Sequence, residues 1–483
     1  MRSAFEGPGF FRRSPLAAHF FAMFALSDAG ASFAGTAWTV DSCSNFPNGF
    51  GNSGTLRYAL NHAIDGDTVD MTTLVCSTID LTESGTTEAP LPIPYGTVTV
   101  LGPGKDKLTI TGNNAVRIFS HVGVLYPSNL VLEDLTLAMG SATYEPIASG
   151  NGGCIYTTNS VTLDRVNVGP CRAPGRGGGI RAADVTLDHA LILGGTAGKD
   201  GGGISATVAD VTSSVVTGNQ AASNGGGIRG TFTTVTDSTV RYNVAGTKSS
   251  IASGGGIFAN DNLTVTGSTV NGNYAYGAGG GIQVYNGSPS GFTTTIVNST
   301  ISGNVARSAA GGIYSNSGHV KFYNSTIAFN DSVNSSTFAA GVATGAAYGD
   351  LDLTFYSTLI SNNKLLIPDT ENDFSVFPGV GAYTITLHGS HNFARVSSYA
   401  SSVFSFEGAC PLLGPLKDNG GPTWTHALSS KSPAIDAGNN VYTPTLLYDQ
   451  RGTPFSRVVK SAADIGAYEV PAEIVFNSGF EGC

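Results

Sequence analysis

A short glycine run ending in isoleucine recurs through the middle of the chain, as GGCI at residue 152, GGGI at 177, 201, 225, 254 and 279, and AGGI at 310. The isoleucines, Ile155, Ile180, Ile204, Ile228, Ile257, Ile282 and Ile313, stand 25, 24, 24, 29, 25 and 31 residues apart. Between them runs a second phrase: SVVTGN ending at Asn219, STVRYN at Asn243, STVNGN at Asn273, STISGN at Asn304, STIAFN at Asn330 and STLISN at Asn362. A fixed period of this size means stacked supersecondary units. Each unit is too short for a helical pair with its turns, and segments such as VTL at 161 and 185 and LTV at 263 alternate as strands do. The pattern predicts an all-β chain wound as a parallel β-helix.

In such a solenoid each coil lies about 4.8 Å above the last, so equivalent residues stack into columns. The isoleucines form an inner aliphatic ladder, each buried side chain contributing about 1.5–3 kcal/mol. The glycines before them allow positive φ and close approach of successive backbones. The asparagines tolerate left-handed turns and pass amide hydrogen bonds from coil to coil. Both ladders read as scaffold. Alternation extends upstream through DTVDMTTLVCSTIDL and NLVLEDLTLAMG, which places the solenoid over residues 67–365. Before it, SGTLRYALNHAIDG sets Leu56, Ala59, Leu60, Ala63 and Ile64 at helical spacing behind Ser53 or Thr55 as N-cap. Residues 35–66 are therefore expected to cap the open core with a short helix. Residues 366–470 are expected to form a β-rich region that completes or caps the solenoid, followed by a short tail, 471–483.

Glycine supplies 65 of the 483 residues and charged residues only 12%, about half the usual share, so ionic surfaces are few. A net charge of −10 without blocks of like charge gives no footprint for nucleic acid. Arg12 and Arg13, the apolar PLAAHFFAMFAL and the small residues of ASFA have the shape of a secretory signal over residues 1–34. No later run is long and apolar enough for a transmembrane segment in the mature chain. Cys43, Cys76, Cys154, Cys171, Cys410 and Cys483 all follow that segment. An even count in an exported chain reads as disulfides, with sequence neighbours pairing as Cys43–Cys76 and Cys154–Cys171. The spacing lacks CxxC, which argues against a zinc site.

The Gly-Gly-x-Ile and Gly-Asn phrases resemble the repeats of bacterial right-handed parallel β-helix proteins, among them polymorphic outer-membrane proteins and adhesin-like secreted proteins. The stretch SGTLRYALNHAIDGDTVDM resembles their N-terminal cap module, with Gly54-Thr55-Leu56-Arg57 where Cys-Ser-Leu-Arg is more usual. PLKDNGGPTWTHALSSKSPAIDAGNN, DQRGTPFSR and ADIGAYEV resemble a C-terminal region of secreted β-helix proteins with variable anchors. The resemblance implies a right-handed, pectin-lyase-like solenoid and says little about activity, because these families share a scaffold rather than a reaction. The chain departs from the outer-membrane group in lacking alternating strands for a terminal membrane barrel.

This fold also hosts pectin and pectate lyases and polygalacturonases, which need clustered acids, or a base beside calcium-binding acids. Asp164 and Asp188 are the strongest stacked carboxylates, in a column read as continuing through Ser213, Asp237, Gly267, Asn298 and Asn324. Such a pair is an acid pair or a calcium site, set against a reading as solvated turn-capping residues. A second column follows the isoleucines: Tyr156, Arg181, Ser205, Arg229, Phe258, Gln283 and Tyr314. Alternation points it outward, either as a solvated strand face or as a glycan track, since aromatic faces pack on sugar rings and arginines pair with acidic sugars. His388 and His391 lack partners at metal-site spacing, and Asp449, Arg451 and Arg457, near His426 and Asp436, read as loop-fixing pairs.

Taken together, the sequence leads to a secreted or cell-surface β-helix, outer-membrane associated, acting in adhesion or carbohydrate binding. Its partner is expected to be a polysaccharide or a host or envelope surface component. A polysaccharide lyase or glycoside hydrolase acting on an acidic polysaccharide is the competing class, and a structural envelope protein the third. No cofactor is called for, calcium being the one ion the carboxylate pair would take.

Overall fold

The structure, a computed structural model, describes residues 35–83, 89–121, 127–142, 150–285, 292–316, 318–334, 338–346, 349–377, 383–397, 403–442 and 446–472. The expected signal segment, 1–34, and most of the tail lie outside the described residues. The chain is a right-handed parallel β-helix, the hand that β-crossover-β connections take. One coil shows the plan: Asp184–Asp188 in a first sheet (A), Leu191–Leu193 in a second (B), Thr196–Ala197 in a narrow corner sheet (D), then Ile204–Ser205 in a third (C). Stacked coils give sheets of 15, 13, 9 and 11 strands in that order among the described residues.

The expected isoleucine ladder runs in register from Ile155 through Ile180, Ile204, Ile228, Ile257 and Ile282 to Ile313, and all are buried. It faces Val168, Ile192, Val216, Val240 and Val270 of sheet B across one continuous core. Toward the C-terminal end aromatic rings replace the aliphatic filling, with Phe322 and Phe355 stacked at 4.8 Å. The second glycine of each triplet leaves no room for a side chain: a Cβ on Gly202 would sit 2.2 Å from the carbonyl oxygen of Gly226.

The Ser-Thr-x-x-x-Asn phrase supplies two hydrogen-bonded ladders. At the turn from sheet A to B, the backbone N–H of Ser214 donates to Ser238 Oγ (3.0 Å), that of Ser238 to Ser268 (3.0 Å) and that of Ser268 to Ser299 (3.2 Å). At the corner after sheet B, each asparagine donates its backbone N–H and its Nδ2 to the Oδ1 of the next, through Asn219, Asn243, Asn273, Asn304 and Asn330. Two expectations are corrected here. The next member is Asn363, not Asn362, because the coil reads TLISNN in register and Thr358 takes the serine position. The left-handed residue is the one before each ladder asparagine, namely Gly218, Tyr242, Gly272, Gly303, Phe329 and Asn362 itself. Asp373 ends the ladder: its Oδ1 accepts from the backbone N–H (3.0 Å) and Nδ2 (2.8 Å) of Asn363, and its Oδ2 from Val396 N–H (2.9 Å).

The cap is as expected, with a helix over Leu56–His62, Thr55 accepting from Tyr58 N–H (3.2 Å), and Leu56, Ala59 and Leu60 buried. Ile64 departs from the expectation. It lies past the helix end and is exposed. Disulfides join Cys43 to Cys76 and Cys154 to Cys171, and Cys410 is disulfide-bonded too.

Parallel coils continue beyond residue 365, to Phe404–Glu407 in sheet B. The chain then turns back along the outer face of sheet B instead of closing the end. Leu413, Leu428, Ala434, Ile465 and Val470 pack there on Ala328, Leu359 and Phe393. Gln450 bridges coils, accepting from Thr300 Oγ1 (2.6 Å) and donating to Thr269 Oγ1 (3.0 Å). After Leu428 the segment is mostly turns, so it is less β-rich than expected.

Candidate functional site

The register of sheet C places Tyr156, Arg181, Ser205, Arg229, Phe258, Gln283 and Tyr314 in one outer column, preceded by Pro92 and Ser120 and continuing to Ala343 and Ser375. Each is the neighbour of a core residue and therefore points away from the core. The column is not a freely solvated face. The glycine-rich turn entering sheet C rises on one side and the turn leaving it on the other, so the column floors a trough in which Ser205, Phe258 and Gln283 are buried.

Cations gather at one end. A cleft of about 440 Å³ is lined by Tyr156, Arg176, Arg181, Lys199, Asn151 and Thr207 among others. Arg181 Nη1 donates to the carbonyls of Ser205 (3.1 Å) and Ala182. Arg176 pairs with Asp200 (3.0 Å). Among the described residues Arg229 has no hydrogen-bond or ion-pair partner and feels only the longer-range pull of Asp200. Burial, reinforced by the charge of Arg176, lowers the pKa of both Arg181 and Arg229, which marks positive charge held without full compensation. Arg117 went unnoticed in the sequence because its coil carries no repeat phrase. It is fully buried, donates to the carbonyls of Gly152 (2.8 Å) and Asn151 (2.8 Å), and lies 5.3 Å from the Tyr156 ring, bracing the trough wall.

The other end is neutral. A cleft of about 430 Å³ over Phe258, Gln283 and Tyr314 is walled by Tyr285, Asn316 and Phe338, and among the described residues none that lines it is charged. Tyr314 and Phe338 meet edge to face at 6.1 Å. Gln283 Oε1 and Asn316 Oδ1 are buried acceptors without a hydrogen-bond donor among the described residues.

Asp164 and Asp188 do stack in register, at the end of the sheet A strands beside the turn into sheet B. Their column is corrected. It continues through Thr212, Thr236, Thr266, Val297 and Tyr323. Ser213, Asp237, Gly267, Asn298 and Asn324 belong to the next column, with Arg165 and His189, where φ is positive. The turn residues are the more recognisable ones, and aligning on them slipped the strand by one place. Arg165 binds Asp134 through Nε (2.9 Å) and Nη2 (2.8 Å) and also contacts Asp164, so a guanidinium supplies positive charge among these acids. Its own pKa is raised, first by the hydrogen bond to Asp134. Asp188 pairs with His189 Nδ1 (2.8 Å), and Asp164, Asp188 and His189 bring their ligand atoms within 4.8 Å of one another.

His388 approaches Asp352 (3.5 Å), as does His319 (3.1 Å), on the outer face of sheet A. In the C-terminal segment Arg451 pairs with Asp449 (2.6 Å) between the rings of Phe455 and Tyr468, and Arg457 pairs with Glu469 (2.9 Å). These buried pairs hold the segment's own turns together, as the sequence suggested for Asp449 and Arg451.

No family model matches the chain, and no curated protein does. Among solved structures, the crystal structure of pectate lyase Pel9A matches with a TM-score of 0.37 and 13% identity, over 90% of this chain and 97% of that one. Likeness of that degree transfers nothing about activity. The disulfides fit an oxidising compartment, and no helix among the described residues is long and apolar enough to cross a membrane.

Proposed function

We propose that this protein is a secreted or surface-associated β-helix that binds an anionic polysaccharide along the trough over sheet C. The observation that carries the reading is the imbalance of charge at one end, where Arg176, Arg181 and Lys199 line a cleft and Arg229 stands two rungs along the same column, with Asp200 as the nearby acid, already paired to Arg176. Guanidinium groups recognise carboxylates bidentately, and the adjoining Tyr156 offers a ring face to a sugar. A densely charged polyanion such as nucleic acid is disfavoured by the overall charge of −10. Binding is favoured over turnover because Asp164 and Asp188 stand away from this trough, engaged by Arg165 and His189.

The test is titration of the purified protein against acidic and neutral polysaccharides, scoring binding and product formation together, with and without calcium. Arg181→Ala and Arg229→Ala should each weaken binding of an acidic polymer about 10-fold or more, as expected for loss of a charge-assisted contact. Wild-type affinity in both variants refutes the trough as the site. Unsaturated or reducing-end product that vanishes in Asp164→Ala and Asp188→Ala makes the protein a carbohydrate-active enzyme instead.

A further inference from the structure

The trough changes character along one unbroken floor. Arg181 and Arg229 stand two rungs apart, and after Arg229 the column reads Phe258, Gln283, Tyr314, Ala343 and Ser375, with no charge. The walls change with it. Arg176 and Lys199 flank the first cleft, whereas Asn224, Ser253 and Ser308 flank the second. A rung of about 4.8 Å makes the floor from Tyr156 to Tyr314 roughly 29 Å long, and a linked pyranose advances its chain by about one rung. A single polysaccharide chain of about six residues is therefore long enough to reach from one cleft to the other.

The neutral end has requirements of its own. Gln283 Oε1 and Asn316 Oδ1, two of the buried polar atoms without a hydrogen-bond partner among the described residues, both belong to residues that line this cleft. Sugar hydroxyls are donors, and the half-buried ring of Tyr314 suits a sugar ring. A carboxylate placed here would bring further acceptors against these oxygens and leave a desolvated charge with no cation beside it.

Building on the anionic-polysaccharide reading, we infer that the trough selects a heteropolysaccharide with sparse acids. An acidic residue sits at the Arg181–Arg229 end, and a run of uncharged sugars fills the Phe258–Tyr314 end. A polymer with a carboxylate on every residue forces charge into the neutral cleft, and one with none leaves the arginines unpaired.

The experiment titrates the full-length protein by calorimetry with three probes: glucuronoxylan, which carries uronates on a minority of its residues, polygalacturonate, which carries one on each, and uncharged arabinoxylan. Glucuronoxylan should bind about 10-fold tighter than either of the others. Gln283→Leu and Tyr314→Ala should reduce that affinity about 10-fold while leaving polygalacturonate within twofold. Asn316→Ala, beside the floor, repeats the test should Gln283→Leu perturb folding. Polygalacturonate binding as tightly as glucuronoxylan, or equal losses for both polymers in the neutral-end variants, overturns this inference and leaves the anionic reading standing. Arginine variants that bind both acidic polymers like wild type overturn the anionic reading itself.

Discussion

Asn273 sits in the middle of the asparagine ladder, where the cost of its removal is set by what it leaves behind. Its Oδ1 accepts from the backbone N–H (3.0 Å) and Nδ2 (3.0 Å) of Asn243, and its Nδ2 donates to Asn304 Oδ1 (2.9 Å) and the Val240 carbonyl (2.9 Å). Asn273→Ala strands two donors on Asn243 and takes a partner from Val240, all in the core. Asn304 Oδ1 still keeps the backbone N–H of residue 273 (3.0 Å). At about 1–3 kcal/mol for each group left wanting, reduced where water enters the vacated space, the loss is about 3–6 kcal/mol. Asn219→Ala is the internal control. It opens the ladder, so its removal strands only the N–H of Gly195 (2.8 Å) and takes a partner from the Ile192 carbonyl (3.1 Å), and it should cost about two-thirds as much. Urea unfolding by circular dichroism measures both, and hydrogen exchange locates the damage in the coils on either side, because a solenoid couples nearest neighbours. An Asn273→Ala cost below about 1 kcal/mol, or one smaller than that of Asn219→Ala, would refute the ladder as a stabilising device.

Two pH predictions have opposite signs and are read locally. His426 is buried between Ser302 Oγ (2.8 Å) and the Gly414 carbonyl (2.6 Å), and burial lowers its pKa to about 4. A folded pKa below the usual value of about 6.5 means its contribution is intact above that pH and is lost as pH falls through about 4. Exchange over residues 413–428 should quicken across that window, and His426→Gln should remove the dependence; an unchanged profile in the variant sinks the idea. Burial raises Asp373 to about 7. Its folded pKa lies above the unfolded value of about 3.9, so its contribution is complete below that value and lost as pH rises through about 7. The amides of Asn363 and Val396, corrected for intrinsic rates, should lose protection over that range in wild type but not in Asp373→Asn; parallel behaviour would refute it.

The repeat made the scaffold legible because buried columns repeat in sequence: a solenoid places the same demand on the same rung position in every coil. Ile180 to Ile313 and the outer column from Tyr156 to Tyr314 could both be aligned on the glycines alone. The places that slipped are those where a coil carries a doubled residue type. Asn362-Asn363 and Ser357-Thr358 offer two equivalent alignments, and the stacking of Asn363 on Asn330 decides between them. The carboxylate column slipped for a related reason, since turn residues with positive φ are more distinctive than the strand residues beside them. That Ser205 and Gln283 are buried, and that Gln283 lacks a donor, had no sequence signal, because the cover comes from turns whose height periodicity does not encode. The docking of the C-terminal segment on sheet B was hidden likewise, since Thr269, Thr300 and Ser302 read as ordinary outward strand residues.

What separates the trough from the rest of the surface is how the chain treats buried arginine. Arg451 is enclosed by Asp449, by the carbonyl of Glu469 and by two aromatic rings, and Arg117 by two carbonyls and Ser120. Both are satisfied as completely as a buried charge demands, and both act as braces. Arg229 stands on a rigid strand, half covered by its flanking turns, with no such partner among the described residues. The same contrast holds for amides. The ladder asparagines use their side-chain oxygens fully, whereas Gln283 and Asn316 do not. Buried polar atoms without a partner occur elsewhere among the described residues, at Asn298 and Asn324 for example, but in the trough they share one column with guanidinium charge that is not fully compensated. That concentration of unmet hydrogen-bonding and charge is what a preorganised binding surface requires, because a ligand that completes it gains affinity without reordering the protein.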